Sequence, residues 1–274
     1  TITGSGNSDA SLITKGADSP EDSSSFVKPG DGLNANNLVI EDASVTAIGG
    51  NRFDHDIYIG YSGDGLSATD LTITGSTVTA KGGNSLCYAG TGVSADVLSM
   101  TGSSLSAVGG SVSNSTGDFS DGGIGLNIGN YDGLKSNISD SHISAIGGNC
   151  SGSGKNVEGG VGVYFFGTVA DGYLIDHVTL LAQGGNAQAS GSGNAKGGEG
   201  IYRNSGEITI SDSAVTVAGG NAVSESGTAT GGGGYYNNTN YYTSNNVVHL
   251  VSGSLTAVGG SGSSKNGSSF DISS

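Results

Sequence analysis

The chain has 274 residues, of which 53 are glycine and only 12% are charged, against usual shares of about 7% and 25%. Its formal charge of −15 argues against a polyanionic partner such as nucleic acid. Two prolines without a Gly-X-Y period exclude collagen, and no stretch approaches the run of ~18 apolar residues that a membrane span needs.

The opening Thr1-Ile2-Thr3 reads as a mature or excised segment, and residues 1–37 as an N-terminal coil or cap of one domain covering 1–274. From Leu38 onward an eleven-residue pattern ending in Gly-Gly recurs. Its glycines are Gly49, Gly82, Gly109, Gly147, Gly184, Gly219 and Gly259, roughly 35 residues apart. Leu38–Gly49, Leu71–Gly82 and Ile208–Gly219 superpose residue by residue. Apolar positions alternate with Thr, Ser and Asp in two short segments, which predicts two strands separated by a corner. The corner holds Asp42, Gly75, Gly102, Asp140, Asp212 and Gly253, types that accept left-handed backbone.

A third strand is predicted before each unit at Ile57-Tyr58, Leu86-Cys87, Leu126-Asn127, Val163-Tyr164, Ile201-Tyr202, Tyr235-Tyr236 and Phe270-Asp271. No segment has helical periodicity. Short strands repeating at fixed spacing bury a core only by stacking, so the expected fold is all-β. It is a right-handed parallel β-helix with three short strands per coil and seven to eight coils. Alanines two before each glycine (Ala47, Ala80, Ala107, Ala145, Ala182, Ala257) would keep an interior row narrow. The Gly/Ser/Asn-rich stretches after Gly110, Gly148, Gly185 and Gly220 read as soft loops on one edge.

In these features the chain resembles the right-handed β-helix superfamily typified by pectate lyases, bacterial passenger domains and filamentous adhesins. The residues after Gly-Gly (Asn51, Asn84, Ser111, Asn149, Asn186, Asn221 and Ser261) look like the asparagine ladder of that superfamily. The resemblance implies stacked amides bonded to one another and to the turn backbone. It also implies either a secreted or surface-exposed adhesin-like rod, or a polysaccharide lyase or hydrolase. Against catalysis, Arg52 and Arg203 stand in different coils, and His55, His142, His177 and His249 lack a catalytic setting.

Asp54-His55-Asp56 is the one compact ionisable triplet. Asp54 and Asp56 on one strand face would suit Ca²⁺, although a solvated loop explains them as well. Asp-Gly pairs at Asp31, Asp64, Asp132 and Asp171 fit tight turns. Gly-Gly-x-Gly at Gly122, Gly159 and Gly197 lacks the Asp of a calcium roll. Thr46, Thr79, Ser106, Ser144, Thr216 and Thr256 form an outward row interrupted by Leu181. The outward column of the third strand places Tyr164, Tyr202 and Tyr236 on successive coils, with Arg203 and Asn237 following. Such rings either ladder with each other or stack against a sugar.

The expected function is therefore a non-catalytic extracellular or cell-surface rod that binds a glycan. A ligand-free stalk is the further alternative. No cofactor is expected beyond possible Ca²⁺, and the chain is expected to act as a monomer or as part of a longer protein. Cys87 and Cys150 are expected to be unpaired.

Overall fold

The computed structural model describes residues 1–4, 10–20, 28–53, 61–130, 135–167, 172–204, 206–238 and 247–273. Among them every named strand pairs in parallel with its equivalent one coil away, and there is no helix. The chain is a parallel β-solenoid of about six full turns with partial coils at its ends, slightly fewer turns than the spacing predicts. No helix among the described residues is long and apolar enough to cross a membrane.

The wall legible in every repeat is an eight-stranded sheet from Ser11–Lys15 and Ser44–Ile48 to Ser213–Ala218 and Gly253–Val258. Alternation turns Val45, Val78, Leu105, Ile143, Leu180 and Val215 inward, beside the fully buried alanine row Ala47 to Ala182. The predicted Thr/Ser row faces out in unbroken register, from Thr46 to Thr256. Ile2–Thr3 and Ser11–Lys15 extend the same stack by one coil.

All six predicted corner residues have positive φ, and His177 takes the same conformation at φ 54°. In every coil but the last, where Ser254 is exposed, the next residue is buried, and in four of these coils it is serine. Ser76, Ser103, Ser141 and Ser213 form a ladder: each hydroxyl accepts the N–H of the preceding coil and donates to the carbonyl two residues back. Val178 interrupts it.

The other long wall contains nine-residue strands at Leu33–Glu41, Leu66–Thr74 and Val93–Thr101. In later coils it divides in two, as at Leu126–Asn130 and Ser136–Ser139. The third-strand alignment holds from Leu126 to Phe270 and slips before it, because the partner of Leu126 is Val93, not Leu86. Cys87 is therefore outside the tyrosine column, and Ser94 stands in its place. Ile57 and Tyr58 lie outside the described residues.

The stretches read as soft loops are instead two further walls. Val112–Ser115, Cys150–Gly152, Ala187–Ala189 and Ala222–Ser224 form one. Phe119–Asp121, Asn156–Glu158, Asn194–Lys196 and Ala229–Thr230 form the other. They enclose a second small core of Val112, Cys150, Val157 and alanines, distinct from the core between the two long walls. The cross-section from the fourth repeat onward is thus two-lobed. Neither cysteine is in a disulfide, and burial pushes the Cys150 thiol up to about 12.

The abundance of glycine has its explanation at the waist between the lobes. The outgoing and returning segments touch backbone to backbone, in a zigzag where each glycine N–H donates to the previous glycine carbonyl. It runs Gly50→Gly30, Gly63→Gly50, Gly83→Gly63 and onward without a break to Gly267→Gly260, at 2.8–3.0 Å. A side chain has no room there, because a Cβ at Gly50, Gly83, Gly110, Gly148, Gly185, Gly220 or Gly260 would overlap a carbonyl oxygen of the coil before.

On one flank of this seam runs the Asn row. Its geometry departs from stacked amides: each Asn Oδ1 accepts the backbone N–H of the equivalent residue one coil on. The pairs are Asn51 to Asn84, Asn84 to Ser111, Asn149 to Asn186, Asn186 to Asn221 and Asn221 to Ser261, at 2.8–2.9 Å. Asp18 begins the row by accepting from Asn51. The row is largely exposed, so water can replace a lost acceptor. Asn186→Ala is accordingly expected to lower stability by only about 0.5–1 kcal/mol in denaturant unfolding. A loss above about 2 kcal/mol would mean that the row carries the stack.

Candidate binding groove

The opposite flank of the seam is an axial groove. One side is the outward column of the short wall, paired in series from Tyr61 through Tyr88, Asp121, Glu158, Lys196 and Thr230 to Lys265. The other side is the outward column of the long wall, where Asn127, Tyr164, Tyr202 and Tyr236 are in register. Returning glycine pairs such as Gly122-Gly123 and Gly159-Gly160 make the floor. Two hollows of about 310 Å³ each open along it. Tyr61, Tyr88, Asp121, Ile124, Glu158 and Val161 line the first, and Lys196, Glu199, Tyr202, Tyr236 and Lys265 line the second.

The tyrosines pack on one another as well as on the groove. Tyr164 and Tyr202 meet edge-on at 5.1 Å between centroids, and Tyr202 and Tyr236 at 4.9 Å with a 32° tilt. Asn238 donates to the Tyr202 hydroxyl at 2.8 Å. Burial raises the Tyr202 phenol above its ordinary range. A second pair, Tyr61 and Tyr88, packs at 5.4 Å near the other end. Sequence reasoning missed this pair because the two residues sit in the irregular short coils.

Arg203 and Asn237 do not belong to this surface. Each follows an outward tyrosine in its strand, so the pleat turns it into the core. Arg203 has no exposed surface; its Nε donates to Asn237 Oδ1 at 3.1 Å and its Nη1 to the Val247 carbonyl at 2.9 Å. Neither side chain can reach a ligand on the tyrosine side. Asp54 and Asp56 lie outside the described residues.

At the centre of the groove, Lys196 Nζ lies 2.6 Å from Glu158 and 2.8 Å from Glu199. Burial opposes its charge, but the two carboxylates outweigh burial and hold the ammonium above its usual range. Asp121 keeps an exposed edge, yet the protein packed around its carboxyl, together with Glu158, raises it to about 6. Away from the groove, Asp176, His177 and Asp212 cluster at the exposed corner. His177 Nδ1 is 3.1 Å from Asp176 and Nε2 is 3.9 Å from Asp212. Asp176 raises that imidazole above its ordinary value.

Of the Asp-Gly pairs, Asp31 and Asp64 stack: Asp64 N–H donates to Asp31, and Thr91 N–H to Asp64. Asp132 and Asp171 lie outside the described residues. Burial lifts Asp64 to about 6 despite the hydrogen bond from Thr91. The folded state therefore holds a proton that the unfolded chain releases near pH 4, and the stability tied to it is lost as pH rises through about 6. The melting temperature is expected to fall between pH 4 and 7, and Asp64→Asn, which keeps the Oδ1 acceptor, to remove part of that slope. An unchanged slope in the variant would place the pH dependence elsewhere.

Against protein-family models, curated proteins and solved structures, the chain finds no match.

Proposed function

We propose that the protein is a non-catalytic, adhesin-like solenoid of the cell surface or extracellular space that binds carbohydrate in the axial groove. The observation that carries this reading is the groove itself: a smooth glycine floor between half-buried tyrosine rings and a row of carboxylates and lysines. Sugars present apolar ring faces edged by hydroxyls, and they bind where flat aromatic surface adjoins polar side chains. The acidic, Gly/Ser/Asn/Thr-rich composition and the resemblance to bacterial surface β-helices support the location.

A glycan array tests the reading, followed by Tyr202→Ala and Tyr236→Ala against the strongest hit. Each is expected to weaken binding by about 1 kcal/mol or more, with Leu181→Ala on the far wall unchanged. Equal affinity in all three variants would reduce the column to a structural ladder.

The polysaccharide-hydrolase reading is favoured by one observation. Asp121, raised to about 6, neighbours Glu158, whose partner is Lys196. A carboxyl raised above its ordinary range beside a second carboxyl is the arrangement of a glycosidase acid and its partner. Release of reducing ends from an array hit, abolished in Asp121→Asn, would establish hydrolysis.

A further inference from the structure

Resting on the glycan reading above, we infer that the groove takes an uncharged, extended polysaccharide lying parallel to the solenoid axis, with about one sugar ring per coil. The column from Tyr61 to Lys265 spans seven coil levels, each one strand spacing from the next. At ~4.8 Å per coil that is a trough of roughly 29 Å. Aromatic pairs flank it near both ends, Tyr61 with Tyr88 and Tyr202 with Tyr236. A floor and walls that repeat in one direction offer equivalent contacts at every level only to a ligand that repeats in that direction. A compact ligand would fill one hollow and leave the other without a role.

The floor favours a sugar over a peptide. Its glycines carry no side chain, and the seam uses their N–H and C=O groups. The flanking strands are likewise paired coil to coil, so a peptide finds no sheet edge along the groove to extend. What remains is a close-fitting backbone surface with hydrogen bonding from the rims. That suits rings that stack below and bond at their edges.

Charge selects the polymer. Lys196 is shared between Glu158 and Glu199, and Asp121 stands next in the row. The centre therefore has no cation to spare for an anionic ligand. Lys265 at the last level is the groove's second cation, so a uronate or sulfated chain would bring its charges against three carboxylates answered by two lysines, in a protein already at −15. An uncharged chain meets no such repulsion.

The test is a titration of the unmodified protein followed by tyrosine fluorescence, which no tryptophan obscures. The probes are neutral cello-, xylo-, manno- and chito-oligosaccharides of two to eight sugars, with oligogalacturonates of equal length. For at least one neutral series, Kd is expected to fall several-fold per added sugar up to about six and then level, with oligogalacturonates at least tenfold weaker. Tyr88→Ala and Tyr236→Ala, at opposite ends, are each expected to weaken the hexamer. Levelling at two sugars would overturn the axial placement but leave the glycan reading standing. Tighter binding of oligogalacturonates would overturn the charge assignment. Failure of every glycan here and on the array would overturn the glycan reading itself.

Discussion

Gly148→Ala is expected to cost about 4 kcal/mol or more, enough to unfold a protein of ordinary marginal stability. The added methyl would overlap the Gly110 carbonyl oxygen and stand 2.6 Å from its carbon, in the buried waist where both neighbours are themselves backbone. No rotamer can relieve such a clash, so coil must separate from coil. The control is Gly102→Asn. Gly102 also has left-handed backbone, at φ 59°, but nothing lies within 4 Å of its would-be Cβ. Asp42, Asp140 and Asp212 occupy the same corner in other coils. That variant is expected to change stability by less than about 1 kcal/mol. Urea unfolding of the pair decides the matter, and similar losses in both would show that the waist is not the constraint.

Ser103→Ala is expected to destabilise by about 1–3 kcal/mol, more than any loss from the exposed Asn row. Its hydroxyl accepts the Ser76 N–H at 3.1 Å and donates to the Thr101 carbonyl at 2.7 Å, in a position with almost no access to water. Truncation leaves a buried N–H without its acceptor. Ser106→Ala, three residues on and facing out, is expected to be nearly neutral. If both variants unfold at the same denaturant concentration, the buried ladder contributes nothing.

The parts of the fold legible in sequence were those set by local chemistry. Alternation fixed the faces of the eight-stranded wall, and residues tolerant of positive φ marked six corners. The inner serines were not legible, because Ser beside a turn residue reads as part of the turn. The two short walls escaped because strands of two to four residues made of Ala, Ser and Asn resemble loop composition. The slip at Leu86 has an available signal. Each true strand start except the last, Phe270, follows a glycine directly, as in Gly65-Leu66, Gly92-Val93, Gly125-Leu126, Gly162-Val163 and Gly200-Ile201. Of the proposed contacts, the tyrosine column lay where the register places it, whereas Arg203 and Asn237 needed only the pleat rule to be turned inward. The groove could not be read from one repeat, since its two sides come from different walls and its ionic centre joins Lys196 to Glu158, 38 residues apart.

The glycine seam also has an electrical direction of its own. In each of its fourteen glycine-to-glycine bonds the later residue donates to the earlier one. All these N–H groups therefore point toward the first coil, and all the accepting carbonyls toward the last. Peptide dipoles of about 3.5 D thus add in series along the axis, as they do in an α-helix, whereas alternating amides largely cancel within the flat walls. The line is confined to the seam: the residue before each outgoing seam glycine, Gly49, Gly82, Gly109, Gly147, Gly184 and Gly219, donates the other way, to the following coil. The ordered row of dipoles is therefore flanked by an opposed one, and the waist holds both without a net direction for the rod.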